Sequence, residues 1–346
     1  MIDFRYHLVS IVAVFLALAI GIVLGSTELQ GPAFSLLDKT TSKLQNELGQ
    51  VSSQRDTAQQ QATEGEMYAQ AVEPAVLHDL LTGHRLLIVT EPGAQSSVVS
   101  GITSAAIHAG ATVTGQINLQ PKFFDTSGTA LDSLNQTTLA VAQPTGLQLD
   151  VSATYQQQAA QMIASEILTS APGSAAGAPG GSQGTGTDAS TMLQAYAASQ
   201  FLSTSGQPGT PASLAVVVTP QTAPSDGSAD QLAQVLVPLA HELAAKSAAT
   251  VVVGSSTGSG AGSPIAVLRS NAVSSQVSTV DDADLAAGQT VAMQALAVEL
   301  ADGKAGSYGF TANGATAIAP SPAPTPSASA SATPTASTTK KKKASR

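Results

Sequence analysis

Apolar positions along this chain fall into four successive patterns, and each predicts a different kind of structure. Leu8 to Leu24 is a run of seventeen residues with no charge and no proline, and Ser10 is its one weakly polar side chain. As a helix it is about 26 Å long at ~1.5 Å per residue, near the lower limit for a hydrocarbon core of ~30 Å. Arg5 and His7 precede the run, and no Lys or Arg follows before Lys39. That asymmetry predicts a cytoplasmic N-terminus and an extracytoplasmic remainder. A cleaved signal peptide is the rival, with Val23-Leu24-Gly25 as a loose cleavage site, but the run exceeds the usual ~7–15 residues and its basic flank is thin. On the same run Ala13, Ala17, Gly21 and Gly25 recur every fourth residue. A stripe of small residues lets two membrane helices approach closely.

From Glu28 to Ala71 the sequence is polar, with a weak seven-residue repeat. With Leu37 at position d, Leu44, Val51 and Ala58 take later d positions, and Thr41, Leu48, Arg55 and Ala62 take a. The best part of the seam is Leu37, Leu44, Leu48 and Val51, which predicts a parallel coiled-coil stalk weakening near Gly65. A lone helix this polar has little reason to be stable, so a homodimer or higher oligomer is expected.

Short continuous apolar runs then alternate with amphipathic ones. Leu77–Leu81 reads as a short helix ended by Gly83, Leu86–Val89 as a strand, Ser96–Ala109 as a helix and Ala111–Asn118 as a strand. The pattern resumes with strand Leu214–Thr219, helix Asp230–Ala245, strand Thr250–Val253, strand Gln276–Val280 and closing helix Gln289–Asp302. Pro264–Leu268 stays unassigned. Runs such as Ala-Val-Val-Val suit strands buried on both faces. The expected fold class is α/β: a membrane helix, a coiled-coil helix, then a three-layer domain on a mostly parallel sheet. Its parts are 1–26 anchor, 27–72 stalk, 73–318 α/β domain with a flexible insertion at 171–212, and 319–346 tail. Helical pieces fall between Pro121 and Glu166, notably Tyr155–Leu168. The Gly/Ser-rich stretch 171–187 reads as a loop, and the Pro/Ala/Ser/Thr tail as disordered.

Composition narrows the chemistry. Of 14 basic residues, five lie in the tail (Lys340, Lys341, Lys342, Lys343 and Arg346), leaving nine against 23 acidic ones over residues 1–339, or −14. That balance argues against nucleic acid; the tail lysines are candidates for contact with anionic wall polymers or lipid head groups. Cysteine is absent, which removes disulfides, thiolate metal sites and Cys nucleophiles.

Three segments resemble the mycobacterial copper transport protein B family: VAVFLALAIGIVLGS (Val12–Ser26), LHDLLTGHRLLIV (Leu77–Val89) and STVDDADLAAGQ (Ser278–Gln289), with Tyr308-Gly309 beyond. The resemblance covers about residues 1–125 and 213–310, with the segments in the same order. It implies an envelope protein, described in that family as an outer-membrane pore-forming component, that limits intracellular copper, with copper ion as the transported species. No residue here matches a family copper ligand that could be carried over.

The residues themselves offer little metal chemistry. Copper takes imidazole, thioether or thiolate ligands, and the five histidines and five methionines make no His-x-His, His-x-x-x-His or Met-x-x-Met spacing. His78, His84 and His108 are weak metal candidates. Asp281, Asp282 and Asp284 form the densest acidic cluster, read as a strand-to-helix turn before a cation site. Gly254-Ser255-Ser256-Thr257-Gly258 matches a hydrolase nucleophile elbow, but no helix follows directly and no His lies beyond His241. The chain is read as no enzyme, with no resident cofactor. Its short, continuous, aromatic-poor strands do not suit a membrane barrel. The two function classes that remain are an envelope copper-efflux component and a membrane-anchored scaffold that binds an envelope partner.

Overall fold

The computed structural model describes residues 4–170, 186–221, 229–255 and 262–309. The chain divides into two compact units, Met1–Met67 and Tyr68–Arg346. Helix α1 (Phe4–Leu77) accounts for the first and contributes its last turns to the second. The segments expected as anchor and stalk thus lie in one uninterrupted helix, which passes through Gly65 without a break. The expected separate helix at Leu77–Leu81 does not form. Leu77 ends α1, and Asp79 takes a left-handed backbone (φ 62°) in the turns that follow, which a continuing helix excludes. Leu77 and Leu81 are both fully buried all the same.

The second unit is built on seven strands: β1 (Arg85–Thr90), β2 (Thr112–Leu119), β3 (Leu202–Gly206), β4 (Leu214–Val218), β5 (Ala249–Val253), β6 (Ser278–Val280) and β7 (Ser307–Tyr308). They lie in the order β3-β2-β1-β4-β5-β6-β7, every neighbouring pair parallel except β2–β3. β4 and β5 are buried at every position, which is why their apolar residues do not alternate with polar ones.

The remaining helices are α2 (Ser96–His108), α3 (Gly128–Thr145), α4 (Tyr155–Ile167), α5 (Gly186–Ala198), α6 (Ala229–Lys246), α7 (Pro264–Arg269) and α8 (Ala286–Asp302). One apolar core joins Leu86, Ile88, Val216 and Val251 to α2, α8 and the end of α1. The other joins Leu87, Val89, Val217 and Val252 to α3, α4, α5, α6 and α7. The sheet is therefore the middle of three layers.

The stretch 171–212 is not a flexible insertion throughout. Residues 171–185 lie outside the described residues, but α5 follows at once and buries Ala189, Met192, Leu193 and Tyr196. β3 then pairs antiparallel with β2 from Leu119↔Leu202 to Gly115↔Gly206. Gly115 makes that pairing possible: a Cβ there would collide with the Ser205 carbonyl and the Gln207 and Pro208 backbone. The tail, with Lys340 to Lys343, lies outside the described residues.

Candidate functional site

Open α/β sheets hold ligands at the carboxyl ends of their strands, where the strand order reverses. Here the chain runs from β1 outward to β2 on one side and from β4 through β5 to β6 on the other, so the reversal falls between β1 and β4. The backbone ladder continues past the strand ends in steps: Glu91 N–H donates to Val218 O (3.0 Å), Thr219 N–H to Val253 O (2.9 Å), and Gly254 N–H to Val280 O (2.8 Å). These bonds place Glu91, Thr219 and Gly254 at one edge of the sheet. Gly254 has no room for a Cβ because Ile265 of α7 packs against it.

Glu91 is the unusual member. It is 3% exposed, and neither carboxyl oxygen has a hydrogen-bond partner among the described residues. Burial pushes its pKa up from 4.5 to about 8, so it is protonated at neutral pH. The ladder makes it a continuation of β1, and alternation puts its side chain on the Leu87/Val89 face. Thr90, on the other face, donates to Asn118 Oδ1 (2.8 Å), and in the turns that follow β1 and β4 the Gln95 and Gln221 amides bond to each other.

The aspartate cluster follows β6 and leads into α8, as a strand-to-helix turn should. Asp281 is fully buried and takes a 2.8 Å ion pair from Arg269 Nη1. Arg269 also donates to Thr279 Oγ1 (3.0 Å) and to the Tyr308 carbonyl (2.6 Å), so it clamps the short strands β6 and β7 together. Asp282 is buried and its carbonyl accepts from Leu285 N–H (2.9 Å). At the opposite edge of the sheet, Glu299 of α8 accepts from Thr250 N–H (2.9 Å) and Ser278 Oγ (2.6 Å). Burial raises its pKa to about 7 against the pull of those two bonds.

The three candidate histidines make three separate pairings. His78 is exposed beside Asp79 (3.1 Å). His84 Nδ1 meets Ser213 Oγ (3.1 Å), and partial burial lowers its pKa. His108 Nδ1 pairs with the buried Glu73 of α1 (2.8 Å), tying the end of that helix to α2. Among the described residues no group of three or more His, Asp or Glu is arranged to hold a metal ion. Met162, Met192 and Met293 are core residues. Of the elbow motif only Gly254 and Ser255 are described, and His241 is occupied with Gln276 Oε1 at 2.7 Å.

The first unit carries a different kind of site. Tyr6–Gly25 is long and apolar enough to cross a membrane, and its side chains are exposed throughout. Gly21 and Gly25 have nothing within 4 Å of where a Cβ would stand. Further along α1, Leu37, Leu44, Leu48 and Val51 are all more than half exposed.

The model of one protein family, described as copper transport outer membrane protein, MctB, matches residues 1–320. The chain belongs to that family. Proteins named copper transporter MctB from Mycobacterium tuberculosis and Mycobacterium bovis are each 27% identical to it over 320 residues, spanning 92% of this chain and 99% of theirs. The Mycobacterium leprae protein of the same name is 27% identical over 325 residues, with the same coverage. The family match runs through helix α1 and the α/β unit alike. Glu91 is the candidate that the sequence pattern did not single out. Its one signal is an acid directly after Thr90, which closes the apolar run Leu86–Val89.

Proposed function

We propose that this chain is a membrane-anchored component of copper handling in the cell envelope, limiting copper inside the cell. The family match over residues 1–320 carries this reading, supported by relatives named copper transporters over nearly their whole length. In this reading Tyr6–Gly25 is a single-pass anchor with a cytoplasmic N-terminus, and the rest of the chain is extracytoplasmic. The protein is not an enzyme, and copper is its cargo. Both faces of the sheet are covered by helices, so any passage for copper is assigned to anchor helices from several copies or to a partner.

The exposed positions Leu37, Leu44, Leu48 and Val51 favour a second element of the proposal. They form one seam of a parallel dimer, with the stripe Ala13, Ala17, Gly21 and Gly25 packing the same two helices in the bilayer. The same seam is what a scaffold without transport activity would need, so the deciding measurement is cellular. A deletion strain should accumulate copper and lose tolerance to it. The full chain should restore both, and a chain lacking residues 1–26 should not. Unchanged copper content and tolerance on deletion would remove the copper role and leave the scaffold.

A further inference from the structure

Most buried acids of the α/β unit hold something in place. Glu299 holds the starts of β5 and β6, Asp281 holds Arg269, and Glu73 holds His108. Glu91 holds nothing: both oxygens are buried and without a partner among the described residues. Leaving such a group unsatisfied is costly, and an orphan of this kind calls for an explanation. Its place is the point between β1 and β4 where ligands enter open α/β sheets.

We propose that Glu91 is the counter-charge of a small-cation site at the carboxyl ends of β1 and β4. The occupant is small because only 3% of the residue reaches solvent. It is a cation because the described residues between β1 and α2 and directly after β4 (91–95 and 219–221) include no basic residue to neutralise the carboxylate or to bind an anion. The polar side chains carried by these residues besides Glu91, those of Gln95, Thr219 and Gln221, are an uncharged hydroxyl and amides. Such oxygens suit hard cations or ammonium groups better than copper(I). The site is therefore independent of the copper reading. Binding exchanges one proton: the Glu91 O–H bond breaks, the proton leaves to solvent, and the carboxylate pairs with the cation. Burial keeps the group protonated before binding, and no charged neighbour contributes to that shift.

The test is calorimetry on the full chain in detergent at pH 7, with manganese(II) chloride and, separately, methylammonium chloride. Each titration is run in two buffers of different ionisation enthalpy, on wild type and on Glu91→Gln. One of the two cations should bind with release of about one proton per cation. Glu91→Gln, which mimics the neutral group, should lower affinity at least tenfold and abolish the proton release. Which cation binds distinguishes a metal from an organic ammonium occupant. Should Glu91→Gln fail to fold, the infrared band of protonated carboxyl in wild type decides, because it should shrink on saturation with the cation. Absence of binding by both cations, equal affinity and proton count in the two proteins, or an unchanged band overturns the proposal. None of these outcomes bears on copper tolerance.

Discussion

The α/β unit and the helix of residues 4–67 use the same apolar residue types in opposite ways. In the α/β unit, the strand residues Leu86, Leu87, Val216 and Val252 are completely buried, and the two cores account for both faces of the sheet. In α1, Leu8, Phe15 and Ile22 stand exposed, and so do Leu37, Leu44, Leu48 and Val51. Apolar surface is stabilised by roughly 25 cal/mol per Å² when it leaves water, and exposed contiguous apolar surface marks an interaction site. The apolar side chains of the α/β unit are thus covered within the chain, whereas on the proposed reading those of the helix are covered from outside it. The anchor segment has the length and composition that a bilayer supplies. The segment beyond it is too polar for lipid, and its proposed seam has the seven-residue spacing of a coiled coil.

The largest expected effect comes from denying the helix its bilayer. Ala17→Arg with Ile20→Arg puts two charges at mid-span, each costing about 2.5–3.5 kcal/mol on insertion scales. The variant chain should leave the membrane fraction while the α/β unit keeps its protease-resistant core. Retention in the membrane would show that another segment or partner anchors the chain.

Next in size is the contrast between core and seam. Phe201 is fully buried with Lys122 Nζ 4.5 Å from its ring centre. Phe201→Ala should cost about 3–5 kcal/mol of unfolding free energy, at any protein concentration. Leu44→Ala removes a side chain that touches no core within the chain, so its cost should appear only at concentrations where copies pair. Equal, concentration-independent losses would erase the distinction between the two regions.

A smaller effect is the pH dependence of the α/β unit, which the helical region should not share. A carboxyl whose pKa is raised by folding holds its proton more tightly in the folded chain. The stability it contributes is complete below about 4.5 and is lost as pH rises through about 7 for Glu299 and about 8 for Glu91. In cation-free buffer, unfolding free energy should fall between pH 5 and pH 9 by on the order of a few kcal/mol. Glu91→Gln should abolish the fall between about pH 7 and pH 8 and make it shallower below, whereas Glu299→Gln should make it shallower only up to about pH 7. A profile that is flat or rises with pH would mean that neither acid is held neutral.

What the sequence made legible follows from where the forces act. β1, β4 and β5 are continuous apolar runs because both faces are buried, so their pattern is local and was readable. β3 was not, because Leu-Ser-Thr-Ser-Gly is exposed beyond its first residue and is held as a strand by backbone bonds to β2. The spacing of Leu77 and Leu81 suggested a helix of its own, yet the two leucines reach one core from the end of α1 and from a turn. Asp281 read as a turn residue, and its burial depends on an Arg269 clamp that also needs Tyr308. Glu91 was invisible as a site because its meaning lies in strand order, which no local pattern encodes.

The claim that a second copy completes the helix has a direct test, since the chain contains no cysteine. Leu44→Cys introduces a single thiol at a seam position, and Lys43→Cys introduces one beside it and off the seam. On mild oxidation in native membranes, Leu44→Cys should give a disulfide-linked dimer and Lys43→Cys should not. Adding Gly21→Ile and Gly25→Ile to Leu44→Cys should reduce the dimer severalfold. A Leu44→Cys chain that stays monomeric, or crosslinking at both positions alike, would contradict the account.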